Sequence, residues 1–273
     1  MGKLRDTFDT AWAALMLFTR LPLWRLYQPR HTRAYRRAPA CWPLAGWVTS
    51  GVTALTFVAS IRVWPLPLAV LTAIAARILL DGALHEDGLA DFADGMGGGR
   101  DREHTLRIMK DSHTGTYGVI ALVLYLLVYA ASLHELALAL LRRSLMGSCH
   151  NPLLMMWAAM LTADVWAKCC SSLLVGQLPY ARKTEEAKTG LTYQPLHWGW
   201  HLTGCTVAML PALALWHFIG EMPPVAVFVV PMAVELLLAL WMHLRLRGYT
   251  GDCCGATFLL CETSIYLTWL MNF

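Results

Sequence analysis

Three aspartates recur at helical spacing near residue 90. Residues 84–95 read LHEDGLADFADG and carry four carboxylates within nine residues. At about 100° per residue, Asp87, Asp91 and Asp94 share one narrow helix face, where like charges repel one another. Carboxylate oxygens are the ligands that hard divalent cations prefer. The spacing therefore predicts a metal site with these three ligands and Glu86 as an outer partner; the alternative is a solvated acidic helix end.

Glycines and cations follow the acidic run. Residues 97–99 are three glycines, and Arg100, Arg102 and Lys110 come within the next 11 residues. Glycine backbone lets a diphosphate approach closely, and arginine holds phosphate oxygens through a bidentate fork. We therefore predict that Arg100, Arg102 and Lys110 bind substrate phosphate, together with Arg182 of a later loop.

Phosphoryl transfer to an alcohol also needs a base for the hydroxyl proton. A dissociative transition state demands little early deprotonation, so even a carboxylate of low pKa is a sufficient base. Asp94 ends the acidic face beside Gly95 and is predicted to be this catalytic base. His85 and His113 are the alternatives, because an unperturbed imidazole titrates near neutral pH.

The composition is that of an integral membrane protein. The chain is 57% hydrophobic and 15% charged, with mean hydropathy +0.47, whereas a soluble domain is about one quarter charged. We expect an all-α fold and one polytopic membrane domain over residues 1–273. The basic residues lack an aromatic RNA-binding pattern, so no nucleic-acid partner is expected. The eight cysteines contain no C-x-x-C and are expected to be apolar fillers.

Apolar stretches long enough to span a bilayer predict about seven transmembrane helices. Their expected bounds are 39–61, 66–84, 114–139, 153–175, 198–219, 225–243 and 255–272. A shorter patch at residues 11–23 is expected to be a re-entrant or interfacial helix. With these spans, 17 lysines and arginines lie on one side and three on the other. The positive-inside rule makes the first side cytoplasmic.

This topology places three polar segments together at the cytoplasmic face. They are residues 85–113, 176–197 and 244–254, and we expect them to converge on one active site. Charges within the spans add to this picture. Arg77 and Asp81 are four residues apart, as are Asp164 and Lys168, so each pair either forms a structural ion pair or lines the base of the site.

Five ordered motifs resemble the signature of one family. They are FTRLP at 18–22, WPLAG at 42–46, EDGLADFADG at 86–95 followed by RDRE at 100–103 and IMKDSHTGTYG at 108–118, LPYAR at 178–182, and TGDCCGA at 250–256. In this order they resemble the cobalamin synthase family, adenosylcobinamide-GDP ribazoletransferase, over nearly the whole chain. Tyr249, Leu259 and His113 depart from the family pattern, so no family role is carried over to them.

The resemblance implies the last assembly step of cobamide biosynthesis. The ribose hydroxyl of α-ribazole, or of α-ribazole 5′-phosphate, attacks the phosphorus nearer the corrinoid in adenosylcobinamide-GDP, and GMP leaves. Mg²⁺ is the implied cofactor. The implied location is the bacterial cytoplasmic (inner) membrane. The protein could act as a monomer or as a homo-oligomer. Further candidate site-lining residues are Asp81, Asp111, Thr250, Asp252 and Glu262.

Two other functions are weighed against this one. The acidic motif distantly resembles that of CDP-alcohol phosphotransferases, although the Ala-Arg pair and the longer spacing of that motif are missing. A secondary transporter would use the buried Asp164, Lys168 and Glu235. Transporters bind near the bilayer midplane, often at inverted repeats, whereas the polar residues here are densest at one face and no such repeat is evident.

Overall fold

The computed structural model describes residues 2–149, 151–182, 193–194 and 198–273, which form eleven α-helices and no β-strand. The helices are α1 (Gly2–Phe18), α2 (Thr32–Arg36), α3 (Trp42–Ser60), α4 (Leu66–Asp81), α5 (Leu84–Gly98), α6 (Arg102–Ile108), α7 (Thr116–Leu145), α8 (Pro152–Gln177), α9 (Trp198–Ile219), α10 (Ala226–Leu246) and α11 (Gly251–Leu270). Short 3-10 turns lie at Leu23–Arg25 and Ala38–Cys41.

Five helices are long and apolar enough to cross a membrane, and the bent pair α4 and α5 makes a sixth if it counts as one span. The five are α7, α8, α10, α11, and α3 with the 3-10 turn that precedes it. The expected all-α membrane fold is confirmed. The expected span at 198–219 is present as helix α9. Its apolar part, Gly199–Leu215, is shorter than the five helices that are long enough to cross a membrane. The number of seven spans therefore stays a prediction, as does the interfacial position of α1.

The chain turns sharply between α4 and α5. Gly82 and Ala83 both have positive φ, 68° and 57°, and the two helix axes meet at 87°. Ala83 is a non-glycine residue in the left-handed region, which is uncommon and costs energy. The turn brings the end of α4 to the start of α5, where Asp81 Oδ2 lies 3.2 Å from His85 Nδ1. The acidic run is therefore a helix that leaves the direction of the preceding span.

Helices α5 and α11 cross at two glycines. A Cβ atom on Gly88 would lie 3.1 Å from the Asp252 carbonyl oxygen, and one on Gly255 would lie 3.3 Å from the His85 carbonyl oxygen. Such contacts are tighter than, or at the limit of, ordinary side-chain packing, so only small residues permit this crossing. The crossing fixes the acidic helix against the start of the last helix.

Two other loop segments meet beside this crossing. Tyr180 pairs with Tyr249 in an isolated parallel bridge, through hydrogen bonds from Ala181 N to Tyr249 O at 2.8 Å and from Tyr249 N to Pro179 O at 2.9 Å. Arg102 donates from Nε to the Leu246 carbonyl at 2.7 Å and from Nη2 to the Ala181 carbonyl at 2.5 Å. The beginning of α6 is thereby tied to both segments.

Candidate active site

One cavity opens where α5, the 178–182 loop and the start of α11 meet. Its polar lining residues are His85, Asp87, Lys168, Ser171, Arg182 and Asp252, and its aromatic ones are Phe18, Trp42, Tyr180, Tyr193 and Phe258. The three polar segments that the sequence places at one membrane face thus contribute to a single cavity. The part of the 176–197 segment at 183–192 and 195–197 lies outside the described residues.

Acidic and basic side chains face each other in this cavity. Asp87 is an exposed residue of α5 and Asp252 lies in the first turn of α11. Arg182 Nη2 lies 3.6 Å from Asp252 Oδ2, and both side chains are at least nine-tenths buried. A guanidinium held this way beside the Asp252 carboxylate presents planar donors for phosphate oxygens. The cavity therefore combines the two kinds of group that phosphoryl transfer requires.

Lys168 supplies a second cation from the middle of the bundle. Its ammonium pairs with Asp164 and donates to Thr49 Oγ1 at 3.0 Å, so the expected Asp164–Lys168 pair is confirmed. The ammonium also lies 4.1 Å from the ring centroid of Phe258, an arrangement that stabilises a cation over an aromatic face. Lys168 thus lines the cavity floor, as the intramembrane charge in the sequence suggested.

Aromatic side chains make up much of the wall. Trp42 and Tyr193 meet edge to face with centroids 5.5 Å apart, as do Tyr180 and Tyr249. Burial raises the pKa of the Tyr180, Tyr193 and Tyr249 hydroxyls above the ordinary value, so these phenols stay neutral at physiological pH. The wall can therefore stack on a planar ring without adding negative charge.

His85 lines the cavity on the side of the helix break. Its ring stacks on Phe18 at 5.3 Å and lies 4.3 Å from the Phe258 ring, centroid to centroid. Its Nδ1 faces Asp81, and its Nε2 is buried without a hydrogen-bond partner. Asp81 itself lies behind the histidine. This places one of the two histidines named as alternative bases on the cavity, whereas His113 is exposed and pairs with Asp111.

The acidic run does form a helix, and its three aspartates differ in environment. Asp87 is exposed at the cavity, Asp91 is half-buried, and Asp94 is buried. The Asp94 carboxylate accepts hydrogen bonds from the backbone amides of Gly115 at 2.6 Å and Gly118 at 2.8 Å. It therefore caps the N-terminus of α7. Its roles as metal ligand and base stay predictions, and the capping bonds favour a structural role.

The four predicted phosphate-binding cations also differ in their position relative to the cavity. Arg182 lines the cavity, whereas Arg100 and Lys110 are exposed outside it. Arg102 uses Nε and Nη2 on two backbone carbonyls, as described above. Of these four, Arg182 is the one whose side chain lines the cavity, and its phosphate contact stays a prediction. Asp111, a further candidate, is exposed, and a hydrogen bond from His113 lowers the pKa of its carboxyl.

A buried network replaces the expected pair of Arg77 with Asp81, and that expectation is wrong. Arg77 Nη1 lies 2.5 Å from Glu262 Oε2 and its Nη2 lies 3.0 Å from Glu86 Oε1. The break after α4 turns Asp81 toward His85 instead. Glu262 and Glu86 thus lie behind the cavity rather than in its lining, where a buried guanidinium neutralises part of their charge.

Thr250 and Asp252 form the cap of α11. The Thr250 hydroxyl accepts from the Cys253 amide at 3.4 Å and donates to Asp252 Oδ2 at 3.2 Å. Thr250 is fully buried and does not line the cavity, whereas Asp252 does. The threonine therefore orients the aspartate rather than facing a substrate directly.

Some lining residues were not identified from the sequence. Phe258 follows Asp252 and Gly255 at intervals of three in α11, a helical periodicity that marks one face. Tyr193 and Ser171 carry no comparable local signal, because only the tertiary fold brings them to the cavity.

The donor set suits a hard divalent cation. Asp87 and Asp252 present carboxylates at one cavity, with Asp91 one turn further along α5. Mg²⁺ takes oxygen ligands, commonly one or two carboxylates with substrate phosphates and water completing the shell. The residues present therefore fit a magnesium ion that is held jointly with a phosphorylated substrate.

Comparison with known proteins agrees with this chemistry. The model of the cobalamin-5-phosphate synthase family matches residues 10–270. Curated relatives named adenosylcobinamide-GDP ribazoletransferase include one from Rhizobium etli, 38% identical with 95% of each chain covered. Another is from Leptothrix cholodnii, 36% identical over 94% of this chain and 93% of the relative.

A third relative named adenosylcobinamide-GDP ribazoletransferase has a lower sequence identity. The relative from Vibrio cholerae is 32% identical, with 97% of this chain and 94% of the relative covered. No solved structure matches the chain. Since the family match and these relatives each span nearly the full length, the chain belongs to the cobalamin-5-phosphate synthase family.

Proposed function

We propose that this chain is a Mg²⁺-dependent adenosylcobinamide-GDP ribazoletransferase. The observation that carries the proposal is the single cavity at which Asp87, Arg182 and Asp252 meet from three separate family motifs. The names of the relatives supply the donor and the transferred group. Family membership gives the reaction class, and the cavity supplies groups suited to it.

The proposed reaction is a phosphoryl transfer from a diphosphate to an alcohol, which gives a phosphodiester. The ribose hydroxyl oxygen of α-ribazole, or of its 5′-phosphate, forms a bond to the phosphorus nearer the corrinoid. The bond from that phosphorus to the bridging diphosphate oxygen breaks, and its electron pair leaves with GMP. The hydroxyl proton passes to a base. Such transfers depend chiefly on positioning and charge stabilisation.

In this proposal Asp87 and Asp91 hold the magnesium ion, with Asp252 on the facing helix. When bound, the ion supplies neutralisation of the diphosphate charge. Arg182 holds phosphate oxygens through its guanidinium fork, supported by its contact with Asp252. Lys168 adds positive potential from the cavity floor. The aromatic wall provides a surface for the planar base of the acceptor.

His85 is the alternative candidate for the base, provided that its imidazole binds no cation. Its Nε2 has no partner and its ring lines the cavity, whereas both Asp94 oxygens are bonded to backbone amides at the start of α7. Asp94 is the base that the sequence predicts. The two assignments are separated by the substitutions discussed below.

We place the protein in a bacterial cytoplasmic membrane with the cavity on the cytoplasmic side. The basic residues of the loops support this, with 17 on the proposed inner side and three on the outer. Cytoplasmic access would suit a substrate that carries GDP.

A donor comparison tests the proposed function. Purified protein in lipid nanodiscs is supplied with α-ribazole and adenosylcobinamide-GDP, or with a CDP-activated lipid and its alcohol acceptor. We expect GMP release with the corrinoid donor in the presence of Mg²⁺ and no CMP release with the lipid donor. Release of CMP from the lipid donor, with no release of GMP from the corrinoid donor, would assign the chain to CDP-alcohol chemistry instead.

A further inference from the structure

The break between α4 and α5 gathers three buried side chains that have the chemistry of metal ligands. One ligand atom each from Asp81, His85 and Glu86 lies within 4.8 Å of the other two. All three residues are more than nine-tenths buried. We propose that these residues bind a divalent cation at the helix break, separate from the ion assigned to Asp87 and Asp91. The proposal does not depend on the proposed reaction, but it excludes His85 as the base of that reaction, because a cation-bound imidazole has no free lone pair for the hydroxyl proton.

Each of the three side chains has a buried polar atom that lacks a hydrogen-bond partner. These atoms are Asp81 Oδ1, His85 Nε2 and Glu86 Oε2. Burying a polar atom without a partner is costly. Three such atoms on three side chains that are neighbours in space are unusual in a native protein. A cation accepts electron pairs from carboxylate oxygen and imidazole nitrogen alike, so an ion bound at this cluster would satisfy those of the three atoms that coordinate it.

The net charge of the surrounding buried side chains also favours binding of a divalent cation. The buried network contains four carboxylates against two cations, Arg77 and Lys168. The carboxylates are Asp81, Glu86, Asp164 and Glu262. With all four ionised and His85 neutral, the network carries an excess of two negative charges away from water. Such an excess is strongly unfavourable unless it is compensated, and one divalent ion compensates it fully.

The two cations of the network are committed to other partners. Arg77 Nη1 donates to Glu262 and Tyr129, and its Nη2 donates to Glu86 Oε1 and Tyr125. Lys168 donates to Asp164 and Thr49. Arg77 therefore holds Glu86 by one oxygen and leaves Oε2 directed elsewhere. Neither cation is hydrogen-bonded to Asp81, whose Oδ2 faces His85 instead.

The ligand types indicate which cation the site would take. One imidazole nitrogen with two carboxylates is a mixed set that suits Mn²⁺, Fe²⁺ or Zn²⁺ better than Mg²⁺, which prefers oxygen alone. Ligands about 2.1 Å from a cation lie about 3 to 4 Å apart, so the present spacing needs only small side-chain shifts. The ion would lock the helix break and so hold the start of α5 against the cavity.

Mn²⁺ is the probe that tests this site. The full chain in nanodiscs is stripped with EDTA and titrated with Mn²⁺, and electron spin echo modulation reports nitrogen bound to the ion. We expect one Mn²⁺ with nitrogen coupling per wild-type chain. The coupling should vanish in His85→Gln, and Asp81→Asn should weaken this Mn²⁺ at least tenfold.

Two controls separate this site from its surroundings. His113→Gln changes an exposed histidine that also pairs with an aspartate, and it should leave the nitrogen coupling unchanged. Asp87→Asn should also leave it unchanged, even if turnover is lost, so failure here is distinguishable from failure of the proposed reaction. Absence of nitrogen coupling in the wild type, or its persistence in His85→Gln, would overturn the proposal. The wild-type spectrum is decisive even if a variant does not fold.

Discussion

The Asp94 carboxylate accepts a hydrogen bond from the Gly118 backbone amide at 2.8 Å and thereby caps helix α7. A second bond from Gly115 uses its other oxygen. Hydrogen bonds to a charged acceptor each contribute about 1.5–3 kcal/mol. The acidic helix face predicted from the sequence thus ends in a residue whose charge stabilises the start of the next helix.

We expect Asp94→Ala to lower the free energy of unfolding by about 2–4 kcal/mol, since the Gly115 amide and the buried Gly118 amide lose their acceptor. Unfolding of the nanodisc protein followed by circular dichroism measures this loss. Asp94→Asn separates the remaining roles at saturating Mg²⁺. Lost turnover with unchanged stability and metal affinity would support the base assignment, and rescue by extra Mg²⁺ would make Asp94 a ligand.

Asp87→Asn should reduce kcat/KM by roughly a hundredfold or more, because a cavity carboxylate that holds the metal and substrate charge is lost. Stability should change little, because Asp87 is exposed. The matched control is Asp111→Asn, an exposed aspartate outside the cavity, which should keep near-normal turnover. Equal activity of the two variants would remove Asp87 from the site.

Arg182→Lys should lower kcat/KM by about tenfold to a hundredfold, because an ammonium does not reproduce the guanidinium fork. Arg100→Lys is the control, since Arg100 is exposed away from the cavity. Steady-state kinetics with varied adenosylcobinamide-GDP compares the two. A larger loss in the Arg100 variant would move the diphosphate contact out of the cavity.

Gly88→Ala should destabilise the protein by about 1–3 kcal/mol, because the new Cβ would meet the Asp252 backbone 3.1 Å away. It should also lower turnover by shifting Asp252 relative to Asp87. Gly51→Ala is the matched control in helix α3, where nothing lies within 4 Å of the new Cβ; alanine should be neutral or slightly stabilising there. Wild-type behaviour of Gly88→Ala would contradict the close helix crossing.

Much of this arrangement was predictable from the sequence, because it depends on the spacing of residues within single helices. The helical repeat at Asp87, Asp91 and Asp94 predicted the acidic helix, and the four-residue spacing of Asp164 and Lys168 predicted their ion pair. Both features depend only on helix geometry. The all-α membrane fold followed from composition and apolar length.

Other features depended on backbone geometry that spacing does not reveal. The left-handed residues Gly82 and Ala83 redirect the chain, so Asp81 meets His85, and Arg77 reaches Glu86 and Glu262 instead. Likewise, the binding of Arg102 to two carbonyls required the meeting of three distant segments. Arg102 therefore joins loop segments, a role that its motif did not indicate, and its predicted phosphate contact stays a prediction.

Membrane orientation gives a further prediction. Cysteines introduced at Arg62 and Arg100 lie in loops that the basic-residue count assigns to opposite sides. In intact cells, a thiol reagent that does not cross membranes should label the Arg62 position and spare the Arg100 position. Disrupting the cells should make both reactive. The reverse pattern in intact cells would invert the proposed topology.

The most direct test of the central claim measures both products of one turnover. Wild-type protein and Asp87→Asn in nanodiscs receive adenosylcobinamide-GDP, α-ribazole and Mg²⁺, and mass spectrometry quantifies GMP and the joined corrinoid. The account predicts equal amounts of the two products from the wild type, none without α-ribazole or Mg²⁺, and a roughly hundredfold slower rate in the variant. GMP release without the joined corrinoid, or wild-type turnover by Asp87→Asn, would contradict it.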